Sequence, residues 1–166
     1  EGKLAQFLVK EMRSRGLWAR LDGVGNVVGE SDGSGPSFLL CGHMDTVPGI
    51  LPIRVDGSRL YGRGAVDAKP ALAAMICAAG ILVAEGFMGR LIVVGSIDEE
   101  GKGRGVRKLI KDGVLTDYAV FGEPSGVENI TIAYKGSLHL KVTCETRTGH
   151  SSAPWLFHNA IDEALD

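Results

Sequence analysis

The stretch FLLCGHMD, residues 38–45, places four strand-forming residues shortly before a histidine and an aspartate. The pattern recurs three times along the chain. LYGRG at 60–64 leads to Asp67, LIVV at 91–94 leads to Asp98-Glu99-Glu100, and YAVF at 118–121 leads to Glu123. In open α/β sheets, ligands bind at the carboxyl ends of the strands. One imidazole and several carboxylates delivered to that edge are donors that suit a hard metal ion with a preference for oxygen and nitrogen ligands.

Strand and helix patterns alternate along most of the chain. Strand signals near 26–28 and at 37–41 precede a long helix that begins at Pro70, and a helical pattern at 106–110 separates the strands that begin at 91 and 118. Strand, helix, strand at this spacing is typical of a parallel sheet covered by helices. We therefore predict the α/β class, with a mixed, mainly parallel sheet flanked by helices.

The pattern changes after residue 129. Residues 130–134 and 138–144 alternate apolar and polar positions on either side of Gly136, which is typical of antiparallel strands. We place a domain boundary near 135/136, so that residues 1–135 belong to one domain and 136–166 begin a second. The helical patterns stop abruptly at both termini, and we expect the chain to be truncated.

Composition excludes several classes of protein. The chain has 166 residues, of which 45% are hydrophobic and 23% charged, as in globular proteins. A net charge of −2 gives no attraction to nucleic acid or to anionic membranes, so we expect neither as a partner. Cys41, Cys77 and Cys144 are odd in number and lack C-x-x-C spacing. This usage argues against a disulfide framework or a thiolate zinc site and predicts a cytoplasmic location.

Each acidic or histidine motif also has a purely structural explanation. His43 and Asp45 face one side of an extended segment, so Asp45 could orient a metal-binding imidazole, but a capped turn with a satisfied histidine fits as well. Asp67 could simply start the following helix. The adjacent carboxylates of Glu99 and Glu100 repel each other unless a cation is present, although a solvated acidic turn stays open. Glu123 is ambiguous by itself.

Two other motifs do not support an alternative site. GKGRG at 101–105 superficially resembles a loop that cradles phosphate, but the G-x-G-x-x-G spacing is absent and acidic residues precede it. The cysteines have no histidine and aspartate in a recognisable signature, which argues against a thiol nucleophile.

Five short motifs occur in a fixed order over nearly the whole chain. They are GHMDTVPG at 42–49, YGRGAVDAK at 61–69, IDEEG at 97–101, GEPS at 122–125 and GHSSAP at 149–154. In this order they resemble the M20 family of zinc aminoacylases and peptidases. GRGAVDAK and GEPSG are most similar to its lysine- and ornithine-releasing deacylases.

The resemblance implies a catalytic domain like that of zinc aminopeptidases, followed by the start of an inserted α+β lid and dimerisation domain. Asp67 would bridge two zinc ions, which cobalt can replace. His43 and Glu123 would complete the protein ligands of one ion, and Glu100 would bind the other. The histidine of the second zinc lies beyond residue 166 in the family, so this chain would hold roughly the first half of the enzyme.

The resemblance also implies the catalytic residues. Asp45 would orient His43, Glu99 would act as general acid and base, and His150 would stabilise the tetrahedral oxyanion across a homodimer interface. The peptide bond after the bridging aspartate is commonly cis in the family. One departure is Pro70, where the family usually has glycine or serine, and a proline is tolerated in the first turn of a helix.

The implied activity is that of a zinc-dependent amidohydrolase of amino-acid biosynthesis. It would cleave the acyl amide of an N-acylated amino acid, with N-acyl-lysine or N-acyl-ornithine, free or linked to a carrier, as the substrate. A dipeptidase, a carboxypeptidase and a succinyl-diaminopimelate desuccinylase remain alternatives within the family. A non-catalytic binding homologue is the alternative from another class, and the retained ligands together with Glu99 argue against it.

Overall fold

A computed structural model describes residues 1–136, 138–150, 152 and 156–165. The chain divides into two compact units, Glu1–Glu128 and Asn129–Asp166. The domain boundary near 135/136 stays a prediction. None of the helices in the described ranges is both long enough and apolar enough to cross a membrane.

The first unit is built on a five-stranded sheet. Its strands in chain order are β1 (Trp18–Leu21), β2 (Val27–Glu30), β3 (Ser37–His43), β6 (Arg90–Ser96) and β7 (Tyr118–Phe121), and β4 (Arg54–Asp56) and β5 (Arg59–Tyr61) lie outside it. The order across the sheet is β1-β2-β6-β3-β7. β3 runs parallel to both β6 and β7, whereas the β1–β2 and β2–β6 pairs are antiparallel. The predicted α/β class with a mixed sheet is confirmed.

Helices cover both faces of this sheet. They are α1 (Gly2–Ser14), α2 (Lys69–Ala84) and α3 (Arg104–Lys111). Successive side chains of a strand point to opposite faces. Accordingly Leu91 and Val93 pack in the core that includes α1 and α2 residues, while Ile92 and Val94 pack in a second cluster with Leu109 of α3. Burial on both faces explains why β6 is a continuous apolar run rather than an alternating one.

The run at 60–64 does not join the main sheet, contrary to the sequence pattern. β5 pairs instead with β4 in a separate antiparallel hairpin whose six residues are all exposed. The apolar part of this run is only two residues long, too short for a buried strand. Asp67 therefore follows a hairpin and a glycine-containing loop, and it precedes α2.

The second unit contains α4 (Ala160–Leu165) and no strand among its described residues. The antiparallel strands expected at 130–134 and 138–144 are therefore wrong. The apolar side chains of these segments are exposed rather than packed, since Ile132 is 94% exposed and Leu138 is 81% exposed. An isolated two-stranded hairpin is marginally stable at best in water.

Candidate metal centre

The imidazole of His43 lies at the centre of a group of carboxylates. His43 is the last residue of β3 and is 2% exposed. Its Nε2 lies 3.0 Å from Oδ1 of Asp67 and 3.9 Å from Oε2 of Glu123. The buried ring therefore presents one nitrogen to two acidic side chains that come from different loops.

Strand register explains why these residues meet. His43 lies opposite Ser96 in the parallel β3–β6 pair, and Cys41 lies opposite Phe121 in the β3–β7 pair. The residues that follow β6 and β7 therefore emerge at the edge where β3 ends. Glu100 and Glu123 reach the site in this way, as the sequence pattern indicates for ligands at the carboxyl ends of strands.

Asp67 approaches from the loop before α2. The Asp67–Ala68 peptide bond is cis, which confirms the expectation from the resemblance. Ala68 is fully buried, and its carbonyl accepts a hydrogen bond from the N–H of Leu72 in the first turn of α2. The start of the helix therefore fixes the backbone next to the Asp67 carboxylate.

Three of the four predicted ligands form a compact donor set. One ligand atom each from His43, Asp67 and Glu100 lie within 4.8 Å of one another. Ligand atoms on one tetrahedral zinc, bound at about 2.0–2.2 Å, lie roughly 3.3–3.6 Å apart, so donors that share an ion would move closer together when it binds. Glu123 joins the group through its 3.9 Å approach to His43. The assignment of these four residues as metal ligands stays a prediction.

The electrostatics of the group favour a cation. Burial of the His43 ring opposes protonation, but the hydrogen bond to Asp67 and the charges of Glu123, Glu99 and Asp45 outweigh it and raise the pKa of His43. The pKa of Glu123 is raised mainly by burial, and the negative charges of Glu99, Asp67 and Glu100 raise it further. The charge of His43 acts in the opposite direction. Carboxylates crowded in this way repel one another unless positive charge lies between them.

Asp45 links the histidine to the Glu100 segment. Its backbone carbonyl lies 3.1 Å from Nδ1 of His43, and its Oδ2 accepts a hydrogen bond of 3.0 Å from the N–H of Glu100. Its Oδ1 is buried without a hydrogen-bond partner in the described part of the chain and lies 3.6 Å from the same Nδ1. The backbone carbonyl of Asp45 is therefore closer to Nδ1 of His43 than the carboxylate that was predicted to orient the ring.

These contacts test whether the site suits a metal ion. In the described part of the chain the contacts of Nδ1 of His43 are with acceptors, so a proton on Nδ1 would satisfy them, while Nε2 faces the carboxylates of Asp67 and Glu123. A lone pair directed at carboxylates is unfavourable unless a proton or a cation lies between them. Nitrogen and carboxylate oxygens are donors that zinc accepts. The residues present therefore fit a divalent ion.

The remaining predicted residues differ in their placement. Glu99 is exposed, and its negative charge is one of the causes that raise the pKa values of His43 and Glu123. His150 belongs to the second unit, where its Nδ1 accepts a hydrogen bond from the N–H of Ser152 at 3.2 Å. The catalytic roles of Glu99 and His150 stay predictions.

A cavity of about 260 Å³ opens beside the donor set. Asp67 and Glu100 contribute to its wall, and the half-buried Arg63 lines it with them. Its other lining residues are Thr46, Val47, Gly62, Gly64 and Val66. The cavity gives a small ligand access to two of the predicted metal ligands.

Sequence analysis missed Asn26, a fully buried residue before β2 that is bonded to the segment carrying Glu99 and Glu100. An asparagine four residues after an aspartate in a glycine-rich turn is a local turn signal. Nothing in that signal identifies hydrogen-bond partners more than seventy residues away.

Comparisons with known proteins identify the family of this chain. Residues 39–165 match peptidase family M20/M25/M40. The LysW-lysine hydrolase of Deinococcus radiodurans is 41% identical over 156 residues, covering 92% of this chain and 42% of that protein. The LysW-lysine/LysW-ornithine hydrolase of Sulfurisphaera tokodaii is 42% identical over 116 residues, covering 70% of this chain and 33% of that protein. The chain thus spans less than half the length of these curated relatives.

Solved structures share the fold at lower identity. A tripeptidase from Staphylococcus aureus aligns with a TM-score of 0.67 at 20% identity, over 96% of this chain and 48% of that one. The aminopeptidase PepT from Bacillus cereus aligns with a TM-score of 0.66 at 17% identity, over 99% of this chain and 50% of that one. The family match covers most of the chain and includes every residue of the donor set, so the chain belongs to peptidase family M20/M25/M40.

Proposed function

We propose that this chain supplies the metal-binding part of a zinc-dependent amidohydrolase that cleaves the acyl amide of an N-acylated amino acid. The observation that carries the proposal is the approach of Asp67, Glu100 and Glu123 to the ring of His43 at one edge of the sheet. A group of surface carboxylates that is merely solvated has no reason to surround a buried imidazole such as that of His43. The family membership and the hydrolase names of the relatives support the reaction class.

The four ligands would divide between two zinc ions. Asp67 would bridge them, His43 and Glu123 would complete the protein ligands of one ion, and Glu100 would bind the other. A pair of divalent ions held by these residues would polarise a carbonyl and lower the pKa of water. The chain's own part would be to hold the four side chains together and to supply the proton transfers.

Glu99 is the residue we assign to proton transfer. Glu99 is exposed and directly precedes Glu100 in the chain, so a carboxylate outside the donor set would be available to a water molecule. It would take a proton from the attacking water and return it to the amide nitrogen as the C–N bond breaks. The products are a carboxylic acid and an amine, which become a carboxylate and an ammonium ion when the acid passes its proton to the amine. Asp45 would keep the Nδ1 proton of His43 in place, and His150 would stabilise the oxyanion.

The substrate is inferred from the curated relatives. Their names specify a lysine or an ornithine linked to LysW. We propose the same substrate class here: lysine or ornithine held as an amide on a carrier, which hydrolysis releases in lysine or arginine biosynthesis. We further propose a homodimer formed through the lid domain and a cytoplasmic location, in keeping with three free cysteines.

The test requires the length that the relatives have and this chain lacks. We define the chimera as the Deinococcus radiodurans relative in which this chain replaces the segment that it matches. The zinc-loaded chimera should release lysine or ornithine from N-acyl and LysW-linked substrates, measured by mass spectrometry of the free amino acid. The unaltered relative is the positive control. A folded, zinc-loaded chimera that releases neither amino acid would support the non-catalytic alternative.

A further inference from the structure

Asn26 immediately precedes β2, is fully buried, and has every polar group of its side chain hydrogen-bonded. Its Oδ1 accepts a hydrogen bond of 3.0 Å from the N–H of Ile97. Its Nδ2 donates to the carbonyl of Gly105 at 3.0 Å and to Oδ2 of Asp22 at 2.7 Å. The amide is thus a buried connection between the turn before β2 and two positions far along the chain.

The chemistry of these partners allows only one orientation of the amide. Turned around, its NH₂ group would face the N–H of Ile97, and its oxygen would face the carbonyl of Gly105 and the carboxylate of Asp22. Each buried donor that faced a donor, and each acceptor that faced an acceptor, would lack a hydrogen bond and would cost the free energy of its desolvation. The three bonds therefore define both the position and the direction of the side chain.

Asn26 is itself held from the other side by Asp22. Oδ1 of Asp22 accepts hydrogen bonds of 2.9 Å from the backbone N–H groups of Val24, Gly25 and Asn26. This turn lies between β1 and β2, which pair with each other and with β6. The amide of Asn26 is consequently held by a turn whose ends are fixed in the sheet.

The two backbone partners lie at the ends of one segment. Ile97 directly follows β6 and Gly105 is the second residue of α3, so the segment 97–105 between them carries Glu99 and Glu100. The N–H of Gly105 also donates to the carbonyl of Ile97 at 3.2 Å, which closes the base of the segment. A Cβ on Gly105 would lie 2.5 Å from Oδ1 of Asn26, so only glycine permits this approach.

We propose that Asn26 is a positioning residue that holds the segment 97–105 so that Glu100 reaches the donor set of His43 and Asp67. Asn26 touches neither the donor set nor a substrate, and it acts through the ends of the segment. The inference rests on the proposed function for its metal readout, and on hydrogen-bond geometry alone for the shape of the segment. The N–H of Glu100, bonded to Asp45, provides the second hold on the same segment.

The test is a double-mutant cycle on the affinity for the second zinc, the ion assigned to Glu100, measured in the chimera by competition with a chelating dye at fixed pH. The variants are Asn26→Ala, Glu100→Ala and the pair together. Removing a group that orients a metal ligand typically weakens metal binding about 10–100-fold. Asn26→Ala should therefore weaken zinc binding at least ~10-fold, whereas adding it to Glu100→Ala should cost less than ~2-fold more.

A control separates positioning from general loss of stability. Leu8 lies in the core on α1, away from the segment 97–105, and Leu8→Ala should lower the Tm while leaving zinc affinity within about twofold. Equal zinc affinities of the unsubstituted chimera and a folded Asn26→Ala variant would overturn the proposal. So would full additivity of Asn26→Ala and Glu100→Ala, because Asn26 would then not act through Glu100.

Hydrogen exchange covers the case in which Asn26→Ala does not fold. In the wild-type protein the amide of Ile97 should exchange as slowly as the amide of Val93 in the middle of β6. If the backbone amide of Ile97 exchanged at least ~10-fold faster than that of Val93, the hydrogen bond from Ile97 to Asn26 would not hold the segment, and the proposal would be overturned. If the wild-type protein binds no zinc while Ile97 is protected, the proposed function fails and the positioning of the segment stands.

Discussion

The carboxylate of Asp45 accepts a hydrogen bond from the backbone N–H of Glu100 at 3.0 Å, across 55 positions of sequence. The same aspartate presents its backbone carbonyl to His43. Asp45 thus contacts one predicted ligand of each zinc, through its carboxylate on one side and its main chain on the other. A change at Asp45 should therefore affect both halves of the centre together.

This arrangement distinguishes two substitutions of Asp45. Asp45→Asn keeps an acceptor for the N–H of Glu100 but removes the charge next to His43, and zinc affinity should fall about 10-fold. Asp45→Ala also removes the acceptor of the part-buried N–H of Glu100, which should lower the free energy of unfolding by a further ~0.5–1.5 kcal/mol. Zinc competition titration and denaturant unfolding measure the two effects. Equal unfolding free energies of the two variants would show that the Asp45–Glu100 bond contributes nothing.

The strands that carry the site could be predicted because their signal is local. Residues 38–41, 91–94 and 118–121 are apolar runs that end in polar residues, and each lies in a strand of the main sheet. The run at 60–64 has a similar pattern, but its strand is paired in the small hairpin. Pairing partners are not encoded in a single run, so the pattern could not distinguish the two sheets.

Asn26 shows why part of the site was not predicted. Its side-chain partners Ile97 and Gly105 lie 71 and 79 residues away, and both bonds are made to backbone groups. Backbone groups are present in every residue, so they leave no signature in the sequence. The candidate ligands could be predicted because their residue types are characteristic of metal binding. Asn26, which forms hydrogen bonds to the segment that carries Glu99 and Glu100, could not.

Metal stoichiometry should reflect the length of the chain. On the proposed assignment His43, Asp67 and Glu123 would supply three protein ligands for one ion, whereas the other would have only Asp67 and Glu100 from the described part of the chain. We expect at most one tightly bound zinc per chain and negligible hydrolysis without the remaining length. Zinc at 100 times its Kd should stabilise the fold by about 2.7 kcal/mol, and a chelator should reverse this. Elemental analysis that finds two tightly bound zinc ions per chain would contradict the expectation.

Stability at low pH should depend on Glu30. Its Oε1 lies 2.8 Å from Nη1 of Arg20 and its Oε2 lies 2.5 Å from Nη2 of Arg90. Burial works in the opposite direction, but the hydrogen bonds and charges of the two arginines hold the pKa of Glu30 below its ordinary value of 4.5. A lowered folded-state pKa stabilises the fold above 4.5, and this contribution is lost as pH falls through the folded-state value.

The variant Glu30→Gln should therefore lose about 0.5–1 kcal/mol of unfolding free energy at pH 7, since the arginines are partly exposed. The difference from the wild-type protein should shrink as the pH falls below 4.5, the ordinary value. Glu11→Gln is the matched control, because Glu11 pairs with Arg15 on the surface at 3.3 Å. Urea unfolding at several pH values gives both curves. A difference for Glu30→Gln that is constant from pH 7 to pH 3 would show that the carboxylate charge is not its cause.

His150 should affect turnover without affecting metal. In the zinc-loaded chimera, His150→Ala removes a group predicted to act only on the developing oxyanion, so kcat should fall about 10²–10³-fold with KM nearly unchanged. Zinc content should equal that of the unsubstituted chimera. His139→Ala, a histidine outside the five motifs, serves as the matched control and should leave kcat unchanged. A rise in KM with kcat unchanged would assign His150 to substrate binding instead.

Substitutions of the adjacent residues Glu99 and Glu100 should have different effects, one on proton transfer and the other on metal binding. In the chimera, Glu99→Ala should lower kcat about 10²–10⁴-fold while both zinc ions remain bound, because it removes the proton shuttle and no ligand. Glu100→Ala should lose zinc, because it removes one of the few anionic ligands of its ion. Steady-state rates and elemental analysis on the same samples distinguish the two outcomes. Loss of zinc in Glu99→Ala with retention in Glu100→Ala would reverse the roles of the two carboxylates.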